Sequence, residues 1–281
     1  MKKFFTPKIF KSNELQTEFE GKGYCVLNLA SQNKTETIKQ FLNNHVGDES
    51  QFGYRGEKVF EKTSQLRVIS KFLKETLVEE LNTVFENVNI FSGTFLIKPN
   101  NPDSFLHLHQ DWTNVEEENN VSFGVWLALD DVNENNGGLF FIPGSHKVES
   151  TVRPNNHYPW PFEEHKTQLL SFKENVSCKK GQCIVLNHRV LHGSNLNNGN
   201  KPRLAAVLAG INKNAQLIHY YVNQQNKNNE YTLSKYHITE QDFADIIENK
   251  KPQTEPAEIL LNYKFKQFEF SRLKKTISEN F

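Results

Sequence analysis

Residues 104–112 read Ser-Phe-Leu-His-Leu-His-Gln-Asp-Trp. Apolar and polar side chains roughly alternate through the stretch, the pattern of an extended segment. In a strand, side chains two apart share a face, so His109 and Asp111 point the same way. Such a His-x-Asp pair, joined by a second His from far along the chain, is the ligand set of a facial triad. A triad of this kind holds Fe(II) on one face and leaves three positions open. His107 shares the face and competes as a ligand. His109 is preferred because it lies two residues from the carboxylate, which leaves His107 as a pocket-wall group. Taken alone, a three-residue pattern is more often a polar strand end with a hydrogen-bonded His.

The second His comes from residues 181–194, Gly-Gln-Cys-Ile-Val-Leu-Asn-His-Arg-Val-Leu-His-Gly-Ser. Gln182 to Leu186 is a short apolar run after a glycine and reads as a buried strand. His188 and His192 both follow it. His192 is favoured because Gly193 allows close backbone approach and Ser194 adds a hydroxyl. Arg203 lies eleven residues past His192. A guanidinium there suits the far carboxylate of a metal-bound 2-oxo acid, which it can hold with two parallel hydrogen bonds.

Outward from these motifs the chain changes texture. Residues 33–45 and 70–89 read as amphipathic helices, the second with Phe72, Leu73, Leu77, Leu81 and Phe85 near helical spacing. From 90 to 212 short strands alternate with Asn/Gly/Pro turns, at 91–98, 121–129, 138–142, 182–187 and 203–211. Many short strands, with the metal pair early and the second His late, predict a mainly β protein with flanking helices and a double-stranded β-helix core, a jelly roll of cupin type. The expected organisation is one domain over 1–281, its core at about 90–212 and the N-terminal helices and C-terminal extension packed on it.

The same residues resemble the phytanoyl-CoA dioxygenase family of Fe(II)/2-oxoglutarate oxygenases. The match runs in order through most of the chain. Phe19-Glu20-Gly21-Lys22-Gly23-Tyr24-Cys25-Val26-Leu27 is similar to the family's opening strand. Next come His109-Gln110-Asp111, Trp126-Leu127-Ala128-Leu129-Asp130-Asp131-Val132, Asn136-Gly137-Gly138-Leu139 and Pro143-Gly144-Ser145-His146-Lys147. Leu191-His192-Gly193-Ser194, Asn197 and Pro202-Arg203 complete it, and the resemblance fades after about residue 222. It implies iron ligation by His109, Asp111 and His192, with Arg203 as the 2-oxoglutarate clamp and Ser194 and Trp126 beside that co-substrate. It implies the cofactors Fe(II), 2-oxoglutarate and O2, and a hydroxylase acting on an aliphatic carbon of a small-molecule metabolite with release of succinate and CO2.

Three rivals stand against that reading. A halogenase would need an open coordination position where Asp111 supplies a carboxylate. A 2-oxoglutarate-independent cupin-type metal protein would not need Arg203, and a non-catalytic binding module should have lost a ligand.

Composition agrees with the family reading. The 281 residues carry 33 basic and 33 acidic side chains, so no nucleic-acid partner is expected. Cys25, Cys178 and Cys183 are an odd set without paired spacing and read as free thiols in a reducing compartment. Polar residues break the apolar start before a signal segment forms, and no stretch has the length of a membrane span. A cytoplasmic protein without a membrane partner is expected; the oligomeric state is open. Residues 147–176, with Tyr158, Pro159 and Trp160, are long for a connection and read as a lid over the pocket or a structural insertion. His107, Tyr158 and Trp160 are the candidate substrate contacts. Lys58, Lys62 and Lys98 are the lysines that a thioester substrate would need to find converging.

Overall fold

Leu66, Ile69, Leu73, Leu77 and Leu81 recur three or four residues apart and are all buried. That spacing makes one apolar stripe on a helix, and the stripe must cover an apolar surface. The surface is the outer face of a five-stranded sheet, where Phe95, Ile97, Leu127, Leu204 and Leu208 join the same cluster. The computed structural model describes residues 6–46, 63–148, 151–156, 158–226, 228–247, 251–266 and 270–278. Lys58, Lys62 and His157 lie outside those residues.

The elements run α1 (Asn13–Lys22), β1 (Tyr24–Asn28), α2 (Gln32–Val46), α3 (Thr63–Val84), β2 (Val88–Lys98), β3 (Leu106–His109), β4 (Ser122–Ala128) and β5 (Leu139–Ile142). There follow α4 (Lys166–Leu170), β6 (Glu174–Val176), β7 (Gln182–Asn187), β8 (Leu191–Ser194) and β9 (Arg203–Asn212). The C-terminal part adds β10 (Ile218–Gln225), β11 (Tyr231–His237), α5 (Glu240–Ile247), β12 (Glu258–Tyr263) and α6 (Phe270–Ser278).

Two antiparallel sheets face each other, one in the order β1-β7-β4-β9-β2 and the other β3-β8-β5-β6. Trp126, Ala128, Ile184, Leu186 and Ala205 of the larger sheet pack with Leu139 and Phe141 of the smaller. This is the expected jelly-roll core, with helices on its flank. The outer face of the smaller sheet, Phe140, Ile142, Leu108 and Leu191, is covered by Phe162, Leu169 and Ile277.

Boundaries differ from the sequence reading in three places. The segment expected to be an opening strand at 19–27 is helix up to Lys22, and the strand begins at Tyr24. Gly23 makes the break: its φ of 86° suits a helix C-cap, and its N–H donates to the Phe19 carbonyl. The helix expected at 70–89 runs instead from 63 to 84, because the chain turns at Asn87 with φ 54° and enters β2 at once. Thirdly, the polar C-terminal stretch folds into a three-stranded sheet, β10-β11-β12. Tyr236, Ile238, Phe243 and Ile246 from this part bury against Phe91 and Ile211 at the open end of the sandwich.

Residues 147–176 are not one loose connection. Val148, Thr151, Arg153, Phe162 and Leu169 are buried, and α4 lies within the stretch. All three cysteines are buried and free. Among the described residues no helix is long and apolar enough to cross a membrane.

Candidate metal centre

Strands β3 and β8 pair antiparallel with His109 directly opposite His192. A register shift between Leu106 and His109 bulges β3, so the segment 104–112 is not one even strand. Past the bulge the chain leaves the sheet, and the Asp111 N–H donates to the His188 carbonyl at 3.0 Å. These placements bring His109, Asp111 and His192 together, with one ligand atom from each within 4.8 Å of the others.

The donor set fits a metal ion. The Nδ1 of His109 lies 2.8 Å from the His107 carbonyl, and that of His192 lies 3.0 Å from the Val190 carbonyl. An acceptor there fixes the proton on Nδ1 and leaves Nε2 as the free lone pair, the arrangement metal-bound histidines use. Both Nε2 atoms face the Asp111 carboxylate, at 4.0 Å from His109 and 3.8 Å from His192. Those gaps exceed hydrogen-bond length and leave room for an ion between the three donors. Burial and the neighbouring His192 push the His109 pKa down to about 4, so its ring is neutral as a ligand must be. Burial works to raise the Asp111 carboxyl, but His192, His188, His109 and Arg153 outweigh it and hold it lowered and ionised.

The two rival histidines stand elsewhere. His107 is exposed and contributes its carbonyl to His109 while its ring packs edge-on against Phe105. His188 is buried with its Nδ1 3.2 Å from Asn114 Nδ2. Tyr158 packs on Phe265, and Trp160 on Phe162 beside the outer-face cluster.

A second group lies on the same inner surface. His192 and Ser194 are two apart on β8 and share a face, about 6–7 Å along the strand. Lys98 Nζ donates to Ser194 Oγ at 2.8 Å and to the Ser104 carbonyl. Lys98 pairs directly with Arg203 across β2 and β9, so both side chains point to the same side. Both are buried, and the Arg203 guanidinium carbon stands 4.9 Å from the centroid of Trp126. Burial, with the Arg203 charge beside it, pulls the Lys98 pKa down to about 6. Lys98 was not singled out for this surface from sequence. It closes a strand in Leu96-Ile97-Lys98-Pro99, where a lysine reads as an exposed end, and only its partner 105 positions later marks it.

The same face of β2 and β9 is packed less tightly than the outer one. Ser92, Thr94 and Leu96 on β2 and Val207 and Ala209 on β9 share the face of Lys98 and Arg203, yet each stays half-buried. Their neighbours on the outer face, Phe95, Ile97, Leu204, Ala206 and Leu208, are buried completely or nearly so. Gly193 lets the strands on either side of β8 close on it: a Cβ there would meet Phe140 of β5 and the Leu106 carbonyl of β3 at 2.5 and 2.6 Å.

The family model described as Phytanoyl-CoA dioxygenase (PhyH) matches residues 19–205. A phytanoyl-CoA dioxygenase domain-containing protein 1 homolog of Caenorhabditis briggsae is 34% identical over 99 residues, 32% of this chain and 34% of that protein. Phytanoyl-CoA dioxygenase 1 of Oryza sativa subsp. japonica is 33% identical over 88 residues, 31% of each chain. The chain thus spans about a third of the length of these curated relatives. Among solved structures, EctD from S. alaskensis with 2-oxoglutarate and 5-hydroxyectoine superposes with a TM-score of 0.56 at 20% identity, covering 73% of this chain and 78% of that one. The epimerase SnoN with Fe3+, alpha ketoglutarate and nogalamycin RO gives 0.53 at 18% identity, over 73% and 84%. At such identities the structures show a shared fold. The family match covers two thirds of the sequence and includes the residues of the centre up to His192 and Arg203, and the chain belongs to the phytanoyl-CoA dioxygenase family.

Proposed function

We propose that the protein is an Fe(II)/2-oxoglutarate-dependent oxygenase that hydroxylates an aliphatic carbon of a small-molecule metabolite, with release of succinate and CO2. One observation carries this reading: a His109–Asp111–His192 group and a buried Lys98–Arg203 pair lie on one inner surface. A metal protein that used no 2-oxo acid would have no need of the second. Bound iron would supply oxygen activation coupled to decarboxylation of the co-substrate.

The chain's own residues do the rest. Nε2 of His109, Nε2 of His192 and the Asp111 carboxylate would hold the ion on one face. Arg203 would take the far carboxylate of 2-oxoglutarate with two parallel hydrogen bonds. Ser194 and Lys98 would hold the same carboxylate from β8 and β2, and Trp126 would keep the guanidinium in its plane. Lys98, with its proton loosened by burial, regains full charge once that carboxylate arrives beside it. The half-open floor at Thr94 and Val207 gives the co-substrate its bed. Tyr158, which feels the charges of Arg153 and Asp111, would border the substrate side of the ion; His107, being exposed, would do so only at the rim.

The small neutral pair Ser92 and Ala209, next along the floor, favours an uncharged metabolite over a thioester that needs converging lysines. The test incubates the protein with Fe(II), 2-oxoglutarate and air and measures succinate, alone and against a metabolite panel. Iron-dependent succinate that rises with one compound is the expected result; none under any condition refutes the reading.

A further inference from the structure

Asp111 is held at both of its peptide groups, and the two anchors come from different parts of the chain. Its N–H donates to the His188 carbonyl at 3.0 Å. Its carbonyl accepts from Arg153 Nε at 2.6 Å. Arg153 stands on the connection after β5, outside every metal-binding motif, and is 1% exposed. A charged side chain so buried is costly unless paired. Here it is paired: both terminal nitrogens reach Glu117, Nη1 at 3.1 Å from Oε2 and Nη2 in a closer contact with Oε1. Glu117 also faces Arg189 Nε at 3.6 Å.

The backbone of Arg153 is fixed as well. Its N–H donates to Thr113 Oγ1 and its carbonyl accepts from the Thr113 N–H, both at 3.0 Å. Residues 151–156 form a strap across the metal segment. The C-terminal part holds the strap from the far side. Tyr263 hydroxyl lies 2.8 Å from Thr151 Oγ1, and Asn156 exchanges two hydrogen bonds with the Val222 backbone, at 2.8 and 2.9 Å. Asn155 donates to the Ile246 carbonyl at 3.0 Å. A strap tethered on both sides gives its guanidinium a fixed position.

We infer that Arg153 is a positioning residue for the metal centre: clamped on Glu117, its Nε sets the Asp111 main chain and thereby aims the carboxylate at the two histidine Nε2 atoms. The inference rests on the metal-centre reading above and extends it to residues that touch neither metal nor co-substrate. Groups that orient metal ligands in this way commonly change metal affinity about 10- to 100-fold when removed.

The experiment uses the full chain and Co(II) as the probe ion. Wild type, Asp111→Ala, Arg153→Met, Arg153→Lys and Glu117→Gln are titrated by calorimetry. The visible spectrum of each Co(II) complex and the unfolding temperature of each apo protein are recorded. Asp111→Ala checks the underlying centre: wild-type Co(II) affinity in that variant overturns the metal reading itself. With that affinity lost, Arg153→Met is expected to bind Co(II) about 10- to 100-fold more weakly and to shift the ligand-field bands. Arg153→Lys should recover part of the affinity, since its ammonium keeps Glu117 but lacks the planar fork that reaches Asp111 at the same time. Glu117→Gln should fall between the two. A purely stabilising Arg153 would lower the apo unfolding temperature and leave affinity and spectrum at wild-type values, and that outcome overturns the inference. Should Arg153→Met fail to fold, wild-type affinity and spectrum in both Arg153→Lys and Glu117→Gln overturn it instead.

Discussion

The two faces of the strand pair β2–β9 share a backbone and differ in everything else. On the outer face Phe95, Ile97, Leu204, Ala206 and Leu208 vanish under α2 and α3. On the inner face Ser92, Thr94, Leu96 and Val207 keep solvent contact, and the row ends in two buried basic side chains, Lys98 and Arg203. A period of two assigns alternate residues to opposite surfaces. Neighbouring residues therefore answer to different demands. Close packing of the outer face supplies stability, while the inner face is packed less tightly and ends in two buried basic side chains. One half of the residues stabilises the sheet, and the other half carries the proposed co-substrate site.

That contrast can be broken at either face, and the metal end should break hardest. Asp111→Ala removes the charged ligand and the group toward which both histidines point. Iron content and succinate formation should fall by orders of magnitude with the unfolding temperature of the apo protein nearly unchanged. Metal analysis and an activity assay on the purified variant check this.

The second prediction opposes the two faces directly. Phe95→Ala empties the packed side and should cost about 3–5 kcal/mol of stability, while turnover per folded molecule persists. Val207→Phe, opposite Thr94 on the inner side, should fill the floor. It should raise the KM for 2-oxoglutarate at least tenfold and leave the unfolding temperature near wild type. Denaturant unfolding and kinetics on both variants decide it. Equal losses of stability would show that the inner face is core like the outer.

How much of this was legible in the sequence follows from the same geometry. His109, Asp111, His192 and Arg203 stood out as candidates because short motifs express them within a few residues, although the bulge in β3 breaks the even alternation expected over 104–112. Both helices and the main strands were visible for the same reason. Lys98, Arg153 and Glu117 were not, since their meaning comes from partners far away in sequence: Ser194 and Arg203 for Lys98, Asp111 for Arg153. Seen locally, a lysine before a proline and an arginine before a proline are surface residues. The C-terminal sheet escaped for a different reason. β10 and β11 are joined by a polar Asn-rich turn with Asn229 at φ 54°, and β12 exposes Ile259 and Leu261. Its apolar rows are short and both faces of β10 and β11 bury side chains, Ile218 and Tyr220 as well as His219, so no clean alternation marks the strands.

A smaller effect concerns pH. Burial holds His219 neutral, with its pKa lowered to about 4, and holds His146 lower still, at about 3. In the unfolded chain an imidazole takes up its proton near 6.5. Between those values the unfolded state binds more protons, so stability must fall as pH drops. The contribution is complete above about pH 6.5 and is lost progressively on acidification towards pH 4 for His219 and pH 3 for His146. The apo protein's unfolding temperature should therefore slope downward from pH 6.5 to 4, and His219→Phe should flatten the slope. Parallel curves for wild type and variant would contradict the assignment.

The most direct test of the account is whether the two ends of the inner surface act on one ligand. Binding of 2-oxoglutarate is measured by calorimetry under nitrogen, with Fe(II) present, for wild type, Asp111→Ala, Arg203→Ala and the double variant. Removing one partner of a buried charge pair costs about 2–5 kcal/mol, so Arg203→Ala should weaken binding roughly 30- to 4000-fold. Its Fe(II) binding should be spared, and omission of iron should weaken 2-oxoglutarate in the wild type. The double variant should lose less than the sum of the two single losses, because both contacts serve one molecule. Affinity for 2-oxoglutarate that ignores both iron and Arg203 would contradict the account.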